Sequence, residues 1–158
     1  MKLAIGSDER THVTDAVVVD LHNRGHEVIL FGPLAVEAVP AGNNPETNYW
    51  PAVARQVAEA VAAGAADEGI LFCWTGTGVS MAANKVPGIR AALCDDAETA
   101  RGARLWNNAN VLCLSLRRTS EALAREILES WFATSFIPNE TDNACLAQLD
   151  ALEEAYFE

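Results

Sequence analysis

A three-layer αβα sandwich on a five-stranded parallel sheet, doubly wound and Rossmann-like or flavodoxin-like, is the fold class this sequence predicts. Three observations carry the prediction. Short apolar, β-rich runs alternate with segments of helical period along the chain. Glycines and prolines mark many of the junctions between them. A chain of 158 residues with 50% apolar content is long enough to bury one continuous core. The expected strand order is 2-1-3-4-5, a common order among open parallel sheets. Residues 1–158 are expected to form a single domain, with 137–158 as a C-terminal helical extension.

The elements follow in order. Lys2 to Ser7 reads as strand one, and Thr14 to Arg24 as a helix with Val17 and Leu21 on one face. Gly25 stands where a left-handed cap is wanted, before strand two at His26 to Phe31. Gly32 to Asn48 is a polar 17-residue connection, longer than the usual ~2–6 residues, and either covers a site or is a surface excursion. Pro51 to Ala63 is the second helix, with proline in its first turn and Gly64 beyond its end. Strand three is Glu68 to Cys73. A Thr/Gly turn then leads into a short helical piece at Ser80 to Lys85 and strand four at Ile89 to Cys94. Ala97 to Trp106 is helical, Val111 to Ser115 is strand five, Ser120 to Ser135 is a long helix, and a last helix at about Asn143 to Phe157 follows Pro138.

The formal charge of −11 argues against nucleic acid or an anionic membrane surface as a partner, since both repel an acidic chain. No apolar run reaches the ~20 residues that span a bilayer, and the N-terminus passes directly into a strand-like pattern, so a cytoplasmic protein is expected. Cys73, Cys94, Cys113 and Cys145 form no C-x-x-C pair, which argues against a zinc site and for reduced thiols. No metal or cofactor is expected.

Ligands of open parallel sheets bind beyond the carboxyl ends of the strands, where the strand order reverses. Two features meet there: Ser7-Asp8-Glu9-Arg10 after strand one, and Cys73-Trp74-Thr75-Gly76-Thr77-Gly78-Val79-Ser80 after strand three. The second is a glycine-punctuated turn running into a helix start, where successive backbone N–H groups can face an anion or a developing oxyanion. Cys73 at its lip is placed to act as a base. Gly76-x-Gly78 with Asp95 and Asp96 further on superficially matches a dinucleotide fingerprint. The third small residue is absent, however, and too few residues separate Gly78 from strand four for a full crossover helix.

The opening KLAIGSD, the stretch CWTGTGVSMAANKVPGIRAALCDD and the run WNNANVLCLS resemble ribose-5-phosphate isomerase B and its galactose-6-phosphate isomerase relatives, over roughly residues 1 to 132. The resemblance implies a metal-independent aldose–ketose isomerase working through an enediolate on a sugar or sugar phosphate. Cys73 would be the base that moves the proton and Thr75 the hydroxyl that assists it. Gly76, Thr77, Gly78, Val79 and Ser80 would form the anion hole, Asp8 would bind substrate near the reacting end, and Asn107 would hold a sugar hydroxyl. Family members are homodimers, often paired into tetramers, with each site completed by the neighbouring subunit.

The departures from the family lie at the site. The histidine that follows the strand-one aspartate is Glu9, the ring-opening histidine before the asparagine is Trp106, and the glycine after the cysteine is Trp74. Val79 stands where some members carry a glutamate base, which leaves Cys73 to do the work. From Ile137 to Glu158 there are six acids and no lysine or arginine where the family clamps phosphate, and Arg117 alone falls where the resemblance implies a phosphate-side arginine. Trp74 and Trp106 are read as two indoles near the crevice that either stack on a sugar or pack in the core. His12 is the candidate for the lost ring-opening role, with Glu9 a second. His22 and His26 are expected on the surface. Beside the isomerase stands an alternative: a catalytically inactive sugar-binding or assembly protein on the same fold.

Overall fold

The computed structural model describes residues 1–35 and 45–156. Its strands are β1 (Lys2–Ser7), β2 (Glu27–Phe31), β3 (Glu68–Cys73), β4 (Ala91–Leu93) and β5 (Val111–Ser115). Its α-helices are α1 (His12–Asn23), α2 (Trp50–Ala62), α3 (Thr77–Ala83), α4 (Ala97–Asn107), α5 (Glu121–Ala133) and α6 (Glu140–Tyr156). The ends of the 32–48 connection are two 3-10 turns, Gly32–Ala35 and Pro45–Asn48. Its middle, residues 36–44, lies outside the described residues, and with it the question of whether it covers a site.

Helix starts follow their caps. Thr11 and Thr14 form a reciprocal capping box, so α1 begins at His12, two residues before the apolar periodicity does. Asp96 caps α4 through Thr99 N at 2.6 Å, and Ser120 caps α5 through Leu123 N at 3.1 Å. Asn139 accepts from Asp142 N at 2.8 Å and starts α6 ahead of the expected Asn143.

All strand pairs are parallel, and the order is β2-β1-β3-β5-β4. The parallel α/β sandwich therefore stands as expected, while the outer half of the expected order 2-1-3-4-5 is exchanged. The cause is the face on which α4 packs. Alternate strand residues feed two cores: Leu3, Ile5, Ile70, Phe72, Leu112 and Leu114 face α1, α4 and α5, whereas Ala4, Leu71, Cys73, Val111 and Cys113 face α2 and α3. A right-handed crossover through a helix on the α1 face must step in the direction taken from β1 to β2. With α4 on that face, β5 steps back inside β4. The burial agrees: every residue of β5 is buried, and the three-residue β4 is left as a short edge strand. The reversal between β1 and β3, where the site was expected, is unchanged.

Cys73, Cys94 and Cys113 are buried, Cys145 is exposed, and all four thiols are free. Burial pushes the Cys94 thiol up to about 12 and drives Cys113 higher still, so both are neutral packing groups. His26 corrects the surface expectation: it is partly buried, with its ring centroid 4.6 Å from that of Phe132 and its Nδ1 buried without a partner among the described residues. Helix α6 has no buried residue; it is tied to the body by the Glu153 carboxylate, which accepts from Gly88 N at 2.9 and 3.1 Å.

Candidate active site

The strands bring the two expected segments side by side. Ser7 pairs in register with Phe72, so Asp8 emerges from β1 level with Cys73, one strand spacing of ~4.8 Å away. On the other side Cys73 pairs with Ser115. The Cys73 carbonyl accepts from Leu116 N, and the Trp74 carbonyl from Arg117 N, both at 3.0 Å, so Arg117 lies along the turn that follows Cys73.

Cys73 is 5% exposed, and its side chain joins the core between α2 and α3, with Val53 and Val79 among its cluster. Beyond it the chain turns at Gly76, whose φ of 75° is left-handed, and enters α3 without a side-chain cap. The first-turn amides of a helix have no partner within it, so the N–H groups of Thr77, Gly78 and Val79 are open at this end. Ser80 differs from expectation. Its amide donates back to the Gly76 carbonyl at 3.3 Å, so it is already partnered within the helix. The side chain of Val79 is fully buried, and its amide is what it offers the turn. Thr75 Oγ1 and Thr77 Oγ1 lie 2.7 Å apart and are both exposed.

Around this turn, Asp8 is half-buried, and desolvation, helped by the neighbouring Glu9 charge, raises its carboxyl above the ordinary carboxylate range. Glu9 itself is exposed, its backbone held by the Ser7 hydroxyl at 2.6 and 3.2 Å. His12 is exposed at the first position of α1, on the same edge of the sheet. Of the nearby arginines, Arg10 is paired with Asp15 at 2.8 Å and Arg118 approaches Asp95 at 3.8 Å. Arg117 is exposed and makes no ion pair among the described residues.

Trp106 and Asn107 are not brought to this place. They end α4, which runs back to the amino edge of the sheet, where Asn110 O accepts from Gly69 N at 2.9 Å. Within one chain they stand about the length of β3, ~16 Å, from Cys73. There they line a groove of about 650 Å³ with Ala91, Leu93, Gly102 and Leu149. The Trp106 ring folds over Gly102 and carries the Arg101 guanidinium 5.5 Å from its centroid.

The second indole at the carboxyl edge is instead Trp50, which the sequence reading passed over. It opens α2, 40% exposed, and its Cδ2 and Cε3 lie 3.0 Å from where a Cβ on Gly78 would stand. The available signal was Pro51, which favours the first turn of a helix and so places its neighbour at a strand's carboxyl edge. Trp74 is 60% exposed beside Cys73.

The model of the family described as "Ribose/Galactose Isomerase" matches residues 3–149. The chain is 40% identical over 121 residues to D-erythrulose-4-phosphate isomerase 2 of Mycolicibacterium smegmatis, covering 77% of this chain and 80% of that one. It is 39% identical over 136 residues to ribose-5-phosphate isomerase B of Escherichia coli, covering 85% of each. Among solved structures, ribose-5-phosphate isomerase B of Clostridium thermocellum superposes with a TM-score of 0.85 at 37% identity, over 99% of both chains.

Proposed function

The chain belongs to the Ribose/Galactose Isomerase family, and from that premise we propose that it interconverts the aldose and ketose forms of a sugar at Cys73, through an enediolate. The observation that carries the reading is the meeting of a cysteine with uncapped helix amides and a half-buried aspartate at one strand reversal.

In the aldose-to-ketose direction the Cys73 thiolate takes the proton from C2. The C2–H electrons form the C1–C2 double bond, and the carbonyl electrons move to O1. The N–H groups of Gly76 to Val79, from a turn with no side-chain cap, face the resulting oxyanion. The hydroxyl proton passes from O2 to O1 with Thr75 at hand, and the Cys73 proton returns to C1, leaving the carbonyl at C2. Asp8 holds a hydroxyl near the reacting end, and its raised carboxyl can share a proton with it. Trp74 and Arg117 border the turn and complete the substrate wall on the β5 side.

Asn107 fits this reading only from a second copy, because its own Cys73 is a strand length away. A homodimer, alone or paired into a tetramer, would set Trp106 and Asn107 of one copy over the turn of the other. The exposed apolar residues at both edges, Trp74 and Met81 on one and Trp106 and Leu149 on the other, support such a contact. Among the described residues no helix is long and apolar enough to cross a membrane, and the chain's likeness to metabolic isomerases supports the reading of a cytoplasmic enzyme of carbohydrate metabolism.

The substrate differs from ribose 5-phosphate. Glu9 stands at the mouth, and the stretch 137–158 offers no guanidinium to a phosphate dianion. A short sugar such as the tetrulose phosphate named for the Mycolicibacterium relative leaves Arg117, which makes no ion pair among the described residues, to meet a charge along the turn.

The test is label exchange. In deuterated water the enzyme should wash deuterium into the carbon next to the carbonyl of an accepted sugar, and Cys73→Ala should abolish it. Exchange that is unchanged in Cys73→Ala would remove the thiol from the mechanism. Ligand-induced stabilisation without exchange for any sugar would favour the inactive binding protein.

A further inference from the structure

Trp50 is a large aromatic side chain that packs against the glycine turn from outside it. Helix α2 opens with this residue at the carboxyl edge of the sheet, on the face where the Cys73 side chain packs. Its six-membered ring lies against the backbone of Gly78, at 3.0 Å from the position of an absent Cβ. Gly78 has no positive φ, so its backbone would accept any L residue. What excludes a side chain there is the indole. Gly76 has a counterpart obstacle, since Leu93 Cδ1 lies 2.5 Å from its Cβ position, so the turn is held between Trp50 and Leu93.

This placement has two chemical consequences. A ring against the Gly78 backbone keeps water off one side of the first-turn amides, and polar interactions strengthen where water is excluded. The rest of the ring stays accessible: the residue is 40% exposed in a chain that buries Trp131 completely. An indole anchored along one edge and open elsewhere, next to a group of unpaired N–H donors, suits a ligand with an oxyanion at one end and an apolar C–H face along its length. An open-chain sugar presents such a face, and its carbonyl oxygen becomes the oxyanion in the enediolate.

We propose that Trp50 is the specificity-determining wall of the site, its indole stacking on the C–H face of the sugar whose carbonyl end meets the Gly76–Val79 turn. The inference rests on the isomerase reading for the identity of the ligand and on Trp50 and Gly78 for the place.

Steady-state kinetics and tryptophan fluorescence test it with ribose 5-phosphate, D-erythrulose 4-phosphate and their unphosphorylated counterparts. Trp50→Ala should raise KM about tenfold for the preferred sugar with a smaller change in kcat, and should flatten the preference among sugars. Trp50→Phe should keep most of the affinity while diminishing the ligand-induced fluorescence change, the remainder coming from Trp74 at the same turn. Gly78→Ala should displace the ring and raise KM as Trp50→Ala does, and the double variant should be no worse than Trp50→Ala alone, because the obstacle is gone. An unchanged KM and sugar preference in Trp50→Ala would overturn the proposal, as would a full fluorescence response in Trp50→Phe. If the unsubstituted protein binds a sugar but exchanges no label, the isomerase reading fails, and the fluorescence comparison still decides for or against the wall.

Discussion

Strand β3 begins at Glu68 and ends at Cys73, and the two edges of the sheet it joins are built on opposite terms. At the amino edge the buried carboxylate is answered on both oxygens. Glu68 is buried, its two oxygens taken by Arg104 Nη2 at 2.6 Å and Trp131 Nε1 at 2.7 Å. The Arg104 guanidinium also lies over the Trp131 ring at 4.9 Å and donates to the carbonyls of Ala109 and Thr134 at 2.5 and 3.3 Å. Burial raises the Glu68 carboxyl, and the Arg104 charge opposes that rise. At the carboxyl edge the first-turn amides of α3 have no cap, the Thr75 and Thr77 hydroxyls meet chiefly each other, and Asp8 is half-buried with a raised carboxyl. A polar network closed on itself fixes structure, whereas groups left open are available to a ligand.

Substitutions at the two edges should therefore separate activity from stability. The largest effect is expected at Cys73: alanine should lower isomerisation by ~10²–10⁴-fold while the melting temperature stays near that of the unsubstituted protein. A large fall in melting temperature with activity retained would make Cys73 a packing residue and erase the contrast. Next is Arg104→Ala, which leaves Glu68 buried without its charge partner and should cost about 3–5 kcal/mol, read from the shift in urea midpoint. A cost below ~1 kcal/mol would mean that water or relaxation satisfies Glu68 and that the amino edge is more open than its contacts imply.

The smallest effect sharpens the amino edge further. Desolvation lowers the His26 pKa below its ordinary value, so the folded chain disfavours its charged form. Between the folded and unfolded values the unfolded chain binds more protons. Stability is thus fully present above about pH 6.5 and declines as the pH falls through the folded value. His26→Phe should flatten that part of a melting-temperature profile, and a profile identical to that of the unsubstituted protein would remove His26 as its cause.

Much of this was legible in the sequence because it is local. The apolar runs became strands, the Cys73 turn became a helix entry, and Asp8 and Cys73 followed from two strand ends meeting at one reversal. What the sequence hid depends on tertiary placement. The exchange of β4 and β5 follows from the face α4 chooses, which a helix of mostly small buried residues, Ala100, Gly102 and Ala103, does not announce. The Glu68–Arg104–Trp131 cluster joins residues far apart in the chain that no spacing links. Trp50 falls between the 32–48 connection and the helix expected from Pro51 and belongs to neither in the sequence, while the motif draws Trp106 to the crevice although α4 carries it to the other edge. Ser80 was read as a donor to substrate, but one turn into α3 its amide already has a helical partner.

The distance between Asn107 and its own Cys73 reaches beyond a single chain. If a working centre takes its thiol from one molecule and its asparagine from another, each defect disables a different half. Chains carrying Cys73→Ala and chains carrying Asn107→Ala, inert when pure, would on mixing form hybrids in which one of two centres is whole. Activity regained from two dead preparations would be the signature of an enzyme whose catalytic unit is the pair.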